Sequence, residues 1–360
     1  MIATLRKHKV LICAGTGGVG KTTLSASLGV LAARAGIRTL VLTIDPAQRL
    51  AQALGIDSRP GEDTEVPGVA GLSAAMIDPR LEFDRFVLGS VDSGIAKGLF
   101  NNRLYQQLVS NLNGSQEFTS LVRLLQSVQS GRYDLVILDT PPTQNAVDFL
   151  KAPERLYALF QDSVIGWFAN TSRKESLIKR TLHRGTRIVT SALESVTGST
   201  FIHELKDFFD HLTHLQSKVA KVSHEVKQLL HSGETGFLLV TGFDETKLKE
   251  ALEFQQDLER ENLRLMGVVV NRWFPEWTQG ESRWPTDWDR DSEFVQLKEF
   301  YALFSAFFKN RQVVFERFQQ QLGGLVPVIK LPDFKNAVQG IEDLALVADT
   351  IERKWGGGDD

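Results

Sequence analysis

Residues 15–23 read GTGGVGKTT, and within them Gly15, Gly20, Lys21 and Thr22 satisfy the spacing G-x-x-x-x-G-K-[ST]. Glycines at this spacing let successive backbone N–H groups turn inward around phosphate oxygens. The lysine adds a point charge at the β and γ phosphates, and the following hydroxyl can reach Mg²⁺. Gly15, Thr16, Gly17, Gly18, Val19, Gly20, Lys21, Thr22 and Thr23 are therefore expected to cradle the phosphates of a nucleotide. Such a loop needs carboxylates on its metal side. Asp139 closes the apolar run LVILD ahead of the turn TPPT, and Asp45 closes LVLTID ahead of Pro46. Thr22, Asp45 and Asp139 are the expected metal-side oxygens, with Asp139 placed to act on Mg²⁺ at the end of a neighbouring strand.

Those residues need elements to hold them. Short β-branched runs recur at 8–15, 38–45, 133–140, 236–243, 265–272 and 326–333. They are near-continuously apolar rather than alternating, as strands covered by helices on both faces should be, which predicts an α/β fold with a mainly parallel twisted sheet, a P-loop NTPase. Segment 24–36, Ala/Leu-rich and ending in Gly36, supplies the first crossover helix. At the carboxyl ends of parallel strands, Asp45 and Asp139 face the same crevice as Lys21. Residues 1–355 are expected to form a single P-loop ATPase domain with helical insertions at about 80–130, 150–232 and 285–322, followed by a flexible tail at 356–360.

Within the second insertion, Leu205, Phe208, Leu212, Leu215, Val219, Val222, Val226 and Leu229 are spaced alternately by three and four, a seam that must lie against another helix. Five of the seven histidines sit between 203 and 231, without the carboxylate–histidine clustering of a metal site, so a solvated face explains them.

Composition narrows the function classes. With 41 basic against 44 acidic residues, a net charge of −3 and no pronounced basic DNA-binding segment, no nucleic-acid partner is expected. The one cysteine, Cys13, lies in VLICAG and reads as a small core residue; a single thiol cannot build a three-thiolate metalloid site within one chain. No stretch approaches the ~18 apolar residues of a membrane span, and a cytoplasmic location is expected.

In this order and spacing, GTGGVGKTT, TIDPAQRLAQALGI, LDTPPTQNAVDFL and VVVNRWFPE resemble the arsenite-pump and tail-anchored-protein-targeting ATPase family, within the dimeric, deviant-Walker class of P-loop ATPases. The resemblance runs from the first strand to about residue 354. It implies ATP and Mg²⁺ as cofactors, TIDPAQR as switch I with Asp45 orienting or deprotonating the attacking water, and DTPPT as switch II with Asp139 sensing the γ-phosphate through Mg²⁺. It also implies Asn271 as the adenine-reading amide and Pro332 in the loop that covers the base. The implied assembly is a homodimer, or a heterodimer with a related ATPase subunit.

Two departures stand out. Typical members read GKGGVGKT, with the first lysine reaching a partner's phosphates, whereas this chain has Thr16 there; and Gln144 and Asn145 follow Thr143 where targeting enzymes continue Gly-His. The pattern resembles a bacterial branch with a small hydroxyl residue at that position. In targeting relatives, helices outside the ATPase core form an apolar groove for a client's membrane helix. Here the aromatic run 298–322 is a candidate lining, with ordinary packing onto the core as its alternative. Trp273, Trp277, Trp284 and Trp288 suggest either a partner contact or a self-packed loop, and the basic stretch 173–187 suggests contact with anionic lipid, a partner's acidic face or nucleotide phosphates across an interface, or else a solvated helix face.

The expected function is a Mg-dependent ATPase acting as a nucleotide-driven dimeric switch, in which hydrolysis moves helical insertions that bind a membrane or membrane-associated protein. The alternatives are a nucleotide-binding regulatory or scaffold subunit that hydrolyses ATP only with a related partner, and an energising subunit of an anion exporter.

Overall fold

A computed structural model describes residues 1–44, 49–57, 59–111, 115–140, 151–152, 154–155, 199–273, 292–324, 326–334 and 338–356. The chain divides into two compact units: Met1–Met76, Ser130–Ala146 and His231–Asp360 form the first, and Ile77–Gln129 with Val147–Leu230 form the second. The first two expected insertions fall within the second unit, the third within the first.

The first unit is built on one sheet of eight strands. In chain order these are β1 (Val10–Ala14), β2 (Thr39–Thr43), β3 (Thr64–Glu65), β4 (Leu72–Met76), β5 (Leu135–Asp139), β6 (Thr235–Thr241), β7 (Leu265–Trp273) and β8 (Val328–Pro332). Their spatial order is β3-β4-β2-β5-β1-β6-β7-β8, parallel throughout except for the antiparallel β3–β4 pair at one edge. All six expected strands are present, so the α/β, mainly parallel expectation is met. β1 lies centrally, with β5 on one side and β6 on the other, and the chain turns from one half of the sheet to the other there. Open α/β sheets place their ligand crevices at such a point.

The near-continuous apolar runs have the expected cause: β1, β2, β4, β5 and β6 are buried at every position. Alternate residues enter opposite cores. Leu11, Cys13, Val41, Ile137, Leu238 and Val269 share one core with α2 (Lys21–Arg34) and α11 (Gly340–Gly356). On the opposite face, Leu239, Val268 and Val270 meet α9 (Glu245–Arg260) and α10 (Ser292–Gln321). Helix α9 starts at Asp244, whose carboxylate accepts from the Lys247 N–H at 3.0 Å.

Helix α10 packs part of the aromatic run onto the core and leaves part of it exposed. Its C-terminal half packs onto the sheet: Phe315 is 2 % exposed and meets Trp273 edge-on at 4.6 Å between ring centroids, while Phe318 is buried beside it. Its N-terminal half leaves Phe300 and Leu303 64 % and 73 % exposed, with Phe307 exposed as well. Trp273 belongs to the core; Trp277, Trp284, Trp288 and the basic stretch 173–187 lie outside the described residues.

The second unit is helical: α4 (Pro79–Leu88), α5 (Ser93–Asn101), α6 (Arg103–Asn111), α7 (Ser115–Gln129) and α8 (Ser199–Leu230). Asp78 caps α4, accepting from the Arg80 and Leu81 N–H groups, with Pro79 at the first helical position. Phe83, Phe86, Tyr105 and Phe118 form an aromatic core, and the Tyr105 hydroxyl donates to Asp84 at 2.7 Å. The heptad seam of α8 buries Phe208, Leu212, Leu215, Val219, Val222 and Val226 against α5, α6 and α7. Near its C-terminal end Leu230 rather than Leu229 is the buried residue, as a straight helix drifts away from a strict seven-residue repeat. His214 and His224 are exposed, on the solvated face that the pattern indicates.

Phe315 anchors the aromatic contact between α10 and the sheet, so Phe315→Ala should destabilise the protein by about 3–5 kcal/mol. A lowered urea midpoint followed by far-ultraviolet circular dichroism checks it.

Candidate active site

The phosphate loop leaves β1 and ends in α2, as the motif requires. Gly15, Gly18 and Gly20 have φ of 151°, 78° and 90°, which side chains rarely tolerate. At Gly15 space is also decisive, because a Cβ there would stand 2.1 Å from the Val240 carbonyl oxygen on β6. Lys21, 7 % exposed, donates from Nζ to the carbonyl oxygens of Gly15 and Thr16 at 2.8 and 2.9 Å. Its ammonium therefore stands inside the curl of the loop. Val19 is buried in the core beneath it. The Thr16 hydroxyl is buried with no hydrogen-bond partner among the described residues.

On the metal side, strand register does the positioning. Asp139 of β5 pairs with Cys13 of β1 on one side and Thr43 of β2 on the other, so three strands end at the same level. Asp139 is 2 % exposed, and its Oδ2 accepts hydrogen bonds from Thr22 Oγ1 at 2.7 Å and Thr43 Oγ1 at 2.9 Å. A buried carboxylate is costly unless such bonds satisfy it. Next along, Thr140 donates its N–H and its hydroxyl to the Cys13 carbonyl oxygen at 3.2 and 3.0 Å. Asp45 lies outside the described residues, as do residues 141–150 after Thr140.

Two cavities open along these elements. The larger, about 780 Å³, is lined by Gly17, Gly18, Gly20, Lys21, Thr22 and Thr23 of the loop and α2, by Asp139 and Thr140, by Arg49, Gln52 and Ala53 of α3 (Arg49–Leu54), and by Arg272, Val338 and Gln339. The smaller, about 280 Å³, has apolar walls from Leu24, Leu331, Phe334, Val338 and Val347 and polar groups from Asn271, Arg272 and Asp333. Pro332 closes β8 between Leu331 and Asp333, and Asn271 reaches the loop directly, donating from Nδ2 to the Val19 carbonyl at 2.9 Å. Its Oδ1 accepts the Arg272 N–H, also at 2.9 Å. An amide keeps a second N–H and a second lone pair after those two bonds, enough to address the edge of a base.

Sequence reading missed Thr43 and Arg272. Thr43 had a signal: a hydroxyl directly after the apolar run LVL at the carboxyl end of its strand, level with Asp139. Arg272 had none beyond standing after Asn271, since its backbone conformation is visible only in three dimensions.

A family model described as anion-transporting ATPase matches residues 8–353, nearly the full span of the sheet and its site. The chain belongs to the anion-transporting ATPase family. Among curated relatives, an ATPase ASNA1 homologue of Paramecium tetraurelia is 28 % identical over 268 residues, covering 73 % of this chain and 74 % of that protein. The ATPase GET3 of Kluyveromyces lactis is 26 % identical over 321 residues, 84 % of each chain, and the ATPase GET3 of Malassezia globosa is 34 % identical over 148 residues, 41 % of this chain and 43 % of that one. The chain is an ATPase, and as a member of the anion-transporting ATPase family it binds nucleotide. Among the described residues, no helix is long and apolar enough to cross a membrane.

Cys13, fully buried beneath this site, is pushed up by burial to a pKa of about 12. The raised value means that its contribution to stability is complete below the ordinary thiol value of 9.0 and is lost as pH rises toward 12. At pH 8 the folded protein should therefore resist iodoacetamide, while the urea-unfolded chain should be alkylated readily, as mass spectrometry of the two samples would show.

Proposed function

We propose that this ATPase is a Mg-dependent, nucleotide-driven dimeric switch whose helical insertions capture and release an apolar helix of a membrane or membrane-associated protein, in the cytoplasm. The observation that carries the reading is the Thr22–Asp139–Thr43 junction, because it ties the phosphate loop to two strand ends by hydrogen bonds. Chain connection supports it further: β5 ends at Asp139 and the chain enters the second, helical unit at Val147, within one short segment. A rearrangement at Asp139 is thereby linked covalently to the helices.

In this reading the N–H groups of residues 15–20 hold the phosphates, and Lys21 turns from the loop carbonyls toward the β and γ oxygens. Thr22 and Asp139 fit a hard cation, since a hydroxyl and a buried carboxylate oxygen meet at 2.7 Å beside the cavity. Mg²⁺ bound there would neutralise charge on the phosphates. Asp45 orients the attacking water, Asn271 addresses the adenine edge, and the segment around Pro332 covers the base. The solvent-exposed Phe300, Leu303 and Phe307 of α10 support the apolar-client part, as large apolar side chains open to a partner helix.

A second reading is favoured by Thr16. With no cation at that position, the chain would bind ATP but turn over only beside a related subunit that supplies one. The exporter reading has less support, because one cysteine cannot form a thiolate cluster.

Steady-state ATPase activity per subunit, measured across a protein concentration series with Lys21→Ala as control, separates the readings. The switch reading expects wild-type activity to rise with concentration and the variant to lose activity on the order of a hundredfold or more. A wild-type protein that binds ATP yet matches the variant at every concentration would overturn autonomous turnover and leave the heteromeric reading.

A further inference from the structure

Arg272 has a backbone conformation that its side chain disfavours: φ is 54°, in the left-handed region, at a position where Gly would be free of strain. The strain sits in an irregularity. The β7–β8 register shifts between Val270 and Trp273, and the Asn271 side chain holds the Arg272 N–H in place. Strain of this kind persists where surrounding structure fixes it, and here it sets an arginine at the rim of the site.

The placement is specific. Of the residues lining the two cavities, Gly20, Thr23, Arg272 and Val338 line both, so Arg272 stands at their junction. One cavity is walled by the phosphate loop, the other by apolar side chains with an amide. A nucleotide that spans them has its α-phosphate and ribose at the junction. The other two cations of the larger cavity are placed differently: Lys21 Nζ is held by the carbonyls at the start of the loop, and Arg49 begins α3. The Arg272 guanidinium has no hydrogen bond or ion pair among the described residues, so its fork of N–H donors is available to a ligand.

From this geometry we propose that Arg272 is a nucleotide-binding residue that clamps the α-phosphate, an anchor common to nucleoside diphosphate and triphosphate, and that the strained bulge of β7 exists to aim it. The inference rests on the nucleotide reading of the site and adds to it a residue and the phosphate it takes. An arginine here holds the α-phosphate by charge-assisted, two-pronged hydrogen bonds, which a lysine reproduces only as a point charge.

The test is calorimetric titration of wild type, Arg272→Gly and Arg272→Lys with ADP and with the non-hydrolysable β,γ-imido analogue of ATP, beside thermal unfolding of each protein. Glycine removes the side chain and relieves the backbone, so the folded state should be kept, with an unfolding temperature equal to or above that of wild type. Arg272→Gly should weaken both ligands by the same factor, about ten- to a hundredfold, and Arg272→Lys should recover part of it. Unchanged affinity in Arg272→Gly would overturn the proposal, and so would a loss confined to the triphosphate analogue, which would put the guanidinium at the terminal phosphate. A wild-type protein that takes neither ligand would overturn the nucleotide site as a whole, a different failure from wild-type binding that Arg272→Gly leaves intact.

Discussion

A carboxylate buried at the meeting of three strand ends is the constraint on which the rest depends. Asp139 is nearly inaccessible, and hydroxyls from α2 and β2 satisfy one of its oxygens. Those bonds require β1, β2 and β5 to end at one level, which the parallel register provides, and require the phosphate loop to start α2 at the right height. Loop and strands are thus fixed to one another through a polar junction in an otherwise apolar sheet.

Much of the sheet was legible because strands buried on both faces read as unbroken apolar runs, and the loop was legible because phosphate chemistry fixes glycine, lysine and hydroxyl at set spacings. The run ending in Asp139 marks both β5 and its last residue, and the run through Asn271 marks β7. β4 escaped notice for the opposite reason. Its sequence, LSAAM, is small and weakly β-forming, and it is a strand because β2 and β3 pair with it on its two sides. The two-residue β3 is too short to give any period.

Around the site, legibility declined where geometry rather than residue type decides. Thr43 reaches Asp139 through strand register, and Arg272 is set at the cavity rim by a left-handed backbone at a bulge; neither property has a period or composition. The long helices show the same division. The seam of α8 announced its burial through spacing, whereas in α10 the aromatic run includes Phe315 and Phe318 in the core and Phe300 and Phe307 in solvent, and packing alone distinguishes them.

The central claim, that Asp139 is the metal-side joint between nucleotide and sheet, is tested most directly by the Mg²⁺ dependence of ADP affinity in wild type and Asp139→Asn, with folding checked by circular dichroism. The account predicts that wild type binds ADP more tightly with Mg²⁺ and that Asp139→Asn, still folded and still binding ADP, loses about tenfold or more of that Mg²⁺ enhancement. A folded Asp139→Asn protein with the full wild-type response to Mg²⁺ would contradict it.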